Sequence, residues 1–341
     1  MTVKPHRAVD YSEPAILKVI AERGYVLAGI KVDGMRCHVL KVAGKVHFLT
    51  RAGIEIPALV NYAEYFEKRW LSQYNLADHH VLDCEVVLLG VDFETGCGIL
   101  RRDEALQEHE PQFVVLDILT QDRLQGVCRA EAQPPFFARY ANVVGRFPLQ
   151  VGSRTVAPVV SESIAKVTSL AELQAVYETT RRLGWEGLVV KDPSCPPRNG
   201  KVTGAWKVKP GCGAEFAPGW EGDGKIVGYV WGDDEKANAG KIVGFRVALE
   251  DGTEVSTTGL TQEQMAEYTA LATSMCPCDG LCHQRGLASD EVDRTCKAVY
   301  NYPLIGRYAE VKAMEKTKTG SLRHPRFIRF RDLDSHPGVK A

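Results

Sequence analysis

The residues best suited to chemistry lie in four short segments. The first is Lys31-Val32-Asp33-Gly34-Met35-Arg36, a lysine on a predicted strand just before a glycine turn, with an arginine five residues on. Side chains alternate along a strand, so Gly29, Lys31 and Asp33 share a face. Taken alone this is also a surface hairpin, since Asp-Gly is a common turn pair. In the second, Leu82-Asp83-Cys84-Glu85, Glu85 stands among Val81, Leu82, Val86, Val87 and Leu88. A carboxylate in such a strand needs a partner or a metal. The third, Trp185-Glu186-Gly187-Leu188-Val189-Val190-Lys191, has an acid before a strand and a lysine at its end; in the fourth, Trp206-Lys207-Val208-Lys209, two lysines share one strand face. Each has a structural reading of its own, as a strand-end charge or a solvated rim. Together they supply a strand nucleophile, two acids and a set of cations.

The elements that must position these groups are legible in outline. Ser12-Glu13-Pro14 opens a helix that Gly24 ends. Tyr25–Val32, Arg36–Lys41 and Val46–Thr50 read as strands, and 57–74 as helical. Further strands are expected at His80–Leu89, Phe113–Leu119, Gly187–Lys191 and Ala205–Lys209, with a helix from Ser169 to about Arg182. Intermixed strands and helices with hairpins near the start favour a mixed α+β domain over a doubly wound sheet. Pro210–Gly224 is rich in Gly and Pro and reads as a linker. Beyond it, strands at 225–231, 241–249, 308–312 and 327–330, with a helix at 261–275, suit a small barrel of the OB type. The expected division is therefore 1–212, a linker at 213–223, and 224–341.

A chain of 341 residues is long enough for two such domains. Its composition, 45% hydrophobic and 25% charged, is that of a globular protein. No apolar run approaches the ~18 residues of a membrane span. The polar start, Met1 to Asp10, predicts no secretory signal, so the ten cysteines read as reduced thiols of a cytosolic compartment. Cys276, Cys278, Cys282 and Cys296, beside His283, are either a zinc site of unusual spacing or simple thiols. The formal net charge is -1, yet residues 301–331 hold eight Lys/Arg against two acids. That basic end is either a solvated face or an electrostatic footprint.

Taken in order, the four segments resemble motifs I, III, IV and V of the covalent nucleotidyltransferases, the superfamily of DNA ligases, RNA ligases and mRNA capping enzymes. Thr50-Arg51-Ala52-Gly53 falls at the family's arginine-glycine element, and Phe113–Leu119 resembles motif IIIa. Gly320-Ser321-Leu322-Arg323-His324-Pro325-Arg326-Phe327, with Arg329 and Arg331, looks like the end of a DNA ligase OB domain. The resemblance spans nearly the whole chain and is closest to the compact ATP-dependent DNA ligases of tailed bacteriophages.

This resemblance implies an α+β fold, with a nucleotidyltransferase (ATP-grasp-like) adenylation domain followed by a C-terminal OB-fold barrel. It implies three phosphoryl transfers: AMP from ATP to Lys31, from Lys31 to the 5′-phosphate of a nicked duplex, and release as a 3′-hydroxyl attacks. A free lysine is mostly protonated at neutral pH, and nearby cations favour the neutral amine. Phosphoryl transfer depends on positioning and charge neutralisation, which suits the lysine set. Carried over by motif, backbone near Ile30 reads the adenine edge. Arg36 and Arg51 hold ribose or phosphate. Glu85 contacts ribose or Mg²⁺, and Glu186 Mg²⁺. Lys191, Lys201 and Lys207 meet phosphates. Lys209, Arg323, Arg326, Arg329 and Arg331 meet DNA. Two departures stand out: Gly29 replaces an acid common in relatives, and Leu116 holds the place of an aromatic that stacks on adenine, which predicts weaker nucleotide affinity. The expected partner is nicked duplex DNA, with no membrane, for a monomer in the cytoplasm of a bacterial host. The rivals are an RNA ligase, a capping-type nucleotidyltransferase, or an inactive nick-binding module.

Overall fold

A computed structural model describes residues 3–149, 159–274, 304–317 and 320–331. The cysteine group at 276–296 and Lys318 lie outside them. The chain forms two compact units, one ending at Phe216 and the other beginning at Ala217.

In the first unit β1 (His6–Asp10) leads to α1 (Glu13–Arg23) and β2 (Val26–Lys31). Ser12 has the extended backbone of a cap residue but makes no side-chain cap bond, and Gly24 closes the helix at φ 79°, its N–H on the Ile20 carbonyl. Next come β3 (Met35–Val42) and β4 (Lys45–Thr50). The helix expected over 57–74 divides into a 3₁₀ turn at Pro57–Tyr62 and α2 (Ala63–Arg69). The unit continues with β5 (His80–Leu88), α3 (Phe93–Leu100), β6 (Pro111–Thr120), α4 (Gln121–Gln125), α5 (Phe136–Val144), β7 (Val159–Ser161), β8 (Ile164–Val167), α6 (Leu170–Arg182), β9 (Gly187–Lys191) and β10 (Gly200–Val208).

These strands make two sheets, ordered β1-β10-β9-β2-β8 and β4-β3-β5-β6-β7. The second sheet buries Val39, Phe48, Cys84 and Phe113 against Phe66 and Trp70. Phe66 meets Phe113 edge-on at 5.0 Å. A smaller aliphatic group, Val32, Val114 and Val160 with Ile30, Leu116 and Trp185, joins residues of both sheets. Strands carrying Lys31 and strands carrying Glu85 are thereby fixed to one another by apolar packing.

In the second unit β11 (Trp220–Trp231) starts earlier than expected, so the last residues of the anticipated linker are strand. It is followed by β12 (Ile242–Leu249), β13 (Glu254–Ser256), α7 (Gln262–Ser274), β14 (Tyr308–Ala313), β15 (Glu315–Lys316), β16 (Leu322–Arg323) and β17 (Arg326–Phe330). The sheet β13-β12-β11-β14-β17 is open as a ladder among the described residues. Its two edges nevertheless touch: Thr258 N–H donates to Pro325 O at 3.1 Å, and Phe327 N–H to Thr258 O at 2.9 Å. Phe245, Val247, Val311 and Phe327 fill the interior beneath Tyr268 of α7.

Candidate active site

Lys31 ends β2, a strand flanked by β9 and β8, and stands opposite Gly187 of β9. A Cβ at Gly187 would lie 2.1 Å from the Val208 carbonyl, so β9 and β10 converge here only because this residue is glycine. The convergence brings three charges together. Glu186, 6% exposed, accepts from Lys31 Nζ, and Lys209 Nζ lies 3.6 Å from its Oε1. The turn after Lys31 is equally tight, since a Cβ at Gly34 would lie 2.4 Å from Val86 O. It sends the chain into β3, where Arg36 faces Glu85 of β5 in register and clasps Asp83, Nη2 to Oδ2 at 2.6 Å. Burial alone would raise the Asp83 carboxyl, but the Arg36 guanidinium and His38 beside it hold it well below the usual carboxylate range. Glu85 makes no side-chain hydrogen bond among the described residues. Burial pushes its carboxyl up to about 7, against the pull of Arg36 and Lys31.

Two further buried pairs line the same space. Asp117 accepts from Arg139 through both oxygens, at 3.0 Å and 2.9 Å. Glu162, 1% exposed, accepts from Lys191 Nζ at 2.6 Å, and that ammonium sits 4.5 Å from the centre of the Phe136 ring. At the edge, Asp10 takes Lys201 Nζ on one oxygen at 2.9 Å and Lys207 Nζ on the other at 3.1 Å. The hydrogen bonds from these lysines lower its carboxyl. Arg51 projects from the Thr50–Gly53 turn, which the Thr50 hydroxyl fixes by accepting from Ala52 and Ile54 N–H at 3.3 and 3.1 Å. Of the charged groups named, all but His38, Glu186, Lys209 and Asp10 line a cavity of about 670 Å³, with Ile30 and Leu116 on its apolar wall. The Ile30 N–H is occupied by Ser163 O at 3.2 Å. In the other unit the expected basic stripe is largely paired. Arg329 Nε donates to Glu310 at 2.8 Å, Arg331 to Asp223 at 2.8 Å, and Arg323 lies 3.6 Å from Glu315. Arg326 is exposed.

Among known families, residues 8–209 match the ATP dependent DNA ligase domain and residues 218–331 the DNA ligase C-terminal domain. The chain belongs to the ATP-dependent DNA ligase family. It is 31% identical to the DNA ligase of Escherichia phage T7, over 98% of each chain. The DNA ligase of Enterobacteria phage T3 is 29% identical over the same share. The solved structure of the bacteriophage T7 ligase complexed with ATP superposes with a TM-score of 0.53 at 30% identity, covering 96% of this chain and 98% of that one.

The ligase fold thus gathers Lys31, Glu85, Glu186, Lys191, Lys207 and Lys209 from separate segments into one place, with Arg36, Arg51 and Lys201 around them. Sequence reading passed over Asp117, Arg139, Glu162 and Asp10. Asp117 carried the same signal as Glu85, an acid inside an apolar strand. Asp10 carried none, because its role depends on the parallel pairing of β1 with β10. The structure also accounts for Gly29. A Cβ there would lie 1.8 Å from Glu162 Oε1, so the space an acid would take at position 29 is filled by a carboxylate from the β7–β8 segment.

Proposed function

We propose that this ligase seals 3′-hydroxyl/5′-phosphate nicks in duplex DNA through a lysyl-AMP formed on Lys31. The observation that carries the reading is Lys31 Nζ at the wall of a nucleotide-sized cavity, hydrogen-bonded to Glu186 and ringed by cations. ATP is the adenylate donor. Lys31 Nζ attacks its α-phosphorus, the bond to the β-phosphate oxygen breaks, and pyrophosphate leaves. Before attack the ammonium gives up a proton, and Glu186, its acceptor, is in place to receive it. The AMP then passes to the DNA 5′-phosphate and leaves when the 3′-oxygen attacks that phosphorus. Lys191, Lys207 and Arg36 are anchored by carboxylates, so they meet phosphate oxygens from fixed positions, which is where this chemistry gains its rate.

Glu85 and Glu186 suit Mg²⁺. That ion commonly takes one or two carboxylates together with substrate phosphates, and Glu85 is a partly buried carboxyl with no hydrogen-bond partner of its own among the described residues. Mg²⁺ held there would neutralise phosphate charge. Leu116 and Ile30 offer the base an aliphatic wall. The Ile30 N–H is engaged, so any edge contact near it falls to other groups. No helix among the described residues is long and apolar enough to cross a membrane. The phage relatives support action in the host cytoplasm, and the working unit proposed is a monomer.

Incubation with α-labelled ATP and Mg²⁺, then with nicked duplexes, tests this. Label should appear on the wild type, be absent from Lys31→Ala, and leave on addition of nicked DNA with sealing of the strand. Label persisting in Lys31→Ala would sink the mechanism. Labelling by GTP would point to capping chemistry, and sealing of nicked RNA alone to an RNA ligase.

A further inference from the structure

Of the cations that line the nucleotide cavity, six are matched to acids: Lys31 has Glu186, Lys191 has Glu162, Arg36 has Asp83, Arg139 has Asp117, and Lys201 and Lys207 share Asp10. Arg7, Arg51 and Arg101 have no ion pair among the described residues, and Arg101 lines the cavity alone. A second depression, about 300 Å³, adjoins the cavity, and Arg7 and Arg51 line both. Lys4 and Asn199 complete its polar lining, and no Asp or Glu lines it. Lys4, Arg7 and Arg51 have no ion pair among the described residues. Asn199 is oriented from behind: its Oδ1 accepts from Arg123, itself 4% exposed, so the amide retains only its Nδ2 donors for a ligand. Every polar side chain here is therefore a donor, and the three cations are free of the carboxylates that neutralise their neighbours. Lys31, Glu85 and Glu186 are not among the residues that line it.

We infer that this depression is a docking site for phosphodiester groups of the DNA strand, next to the reacting phosphate but separate from the nucleotide. An anion here would displace no internal acid, unlike one that meets Lys201 or Lys207. Its place beyond Arg7 and Arg51 suits phosphates that continue from the cavity along a strand, not the group attacked by Lys31. Such contacts position a duplex without reading its sequence. The inference rests on the ligase reading above and adds a binding site to it.

The test uses the full chain with Lys4→Gln (K4Q), an exposed position that lines the depression and not the nucleotide cavity, beside the charge-preserving K4R. Two quantities are read: the rate of Lys31 labelling by α-labelled ATP, and the Kd for nicked duplex over a salt series. K4Q should label within about twofold of wild type. Its Kd should rise several-fold at low salt, and its log–log salt slope should fall by about 0.9 for the one phosphate that the variant leaves unneutralised. K4R should bind like wild type. Loss of labelling in K4Q, with or without loss of binding, would assign this cation to the triphosphate and overturn the inference. Unchanged Kd and slope would overturn it too. If the wild type itself takes no label, the proposed function fails, and this is seen before any variant is compared.

Discussion

Gly29 shows how a single missing side chain organises the site. Its place in β2 requires no unusual backbone, because its φ is not positive, and glycine inside a strand is otherwise a cost. What requires glycine is the Glu162 carboxylate pressed against it. We expect Gly29→Ala to push that carboxylate off Lys191, to destabilise the first unit by roughly 1–3 kcal/mol as overpacking does, and to slow Lys31 labelling at least tenfold. Urea unfolding beside a labelling time course checks both, and wild-type values in both would show that Glu162 is not fixed by this contact. Glu85 gives a pH dependence with a defined sign. Its carboxyl titrates near 7 when folded against 4.5 ordinarily, so the folded chain binds this proton more tightly. Its contribution to stability is complete below about pH 4.5 and is lost as pH rises through about 7. Glu85→Gln should remove that loss, measured as the change in urea midpoint between pH 5 and pH 8. Leu116 offers adenine a side chain without an aromatic face. Leu116→Tyr should tighten ATP binding by the ~0.5–1.5 kcal/mol of a stacked pair, read by calorimetry, and an unchanged Kd would refute the stacking role.

At the scale of elements, the β9–β10 convergence sets the distance between Lys31, Glu186 and Lys209. Gly187→Ala would drive a methyl into the Val208 carbonyl, so the strands must part. We expect loss of labelling together with a lowered melting temperature, and a variant that melts like wild type yet fails to label would shift the explanation from strand spacing to Glu186 itself. The strands that carry the site were readable because each satisfies a local rule: β2, β3 and β4 alternate around Asp-Gly and Ala-Gly turns, β5 is an apolar run interrupted by two acids, Asp83 and Glu85, and β9 is an apolar run that ends on Lys191. β1 and α5 were not. His6–Asp10 is five residues of mixed character, and it is a strand because β10 runs parallel beside it, a long-range pairing that no local window contains. α5 begins straight after a Pro-Pro pair, and its Arg139 is drawn inward by Asp117, 22 residues earlier. The lysines and acids of the site were legible as types. Their partners were not, because Glu162, Asp117 and Asp10 gain meaning only from which strands become neighbours.

For the whole molecule, a formal charge of -1 is a poor guide to how it meets a polyanion. The basic residues near the end of the chain are not uniformly free. Glu310 of β14 faces Arg329 of β17 in register and also lies 3.3 Å from Arg331, and the hydrogen bond from Arg329 lowers its carboxyl. These arginines either staple two strands together or are held ready for DNA phosphates, and the two roles separate on one substitution. If they meet phosphates, Glu310 competes with the DNA for them. Glu310→Gln should then tighten nick binding several-fold at low salt, with a gain that fades as salt screens the interaction, while Lys31 labelling stays as it was. If they are only staples, the same change should lower the melting temperature of the second unit and leave nick binding where it stands. We expect the first outcome, because Arg329 keeps 66% of its side chain exposed even while paired, and an exposed pair contributes little to folding but keeps a guanidinium within reach of solvent and of a backbone phosphate.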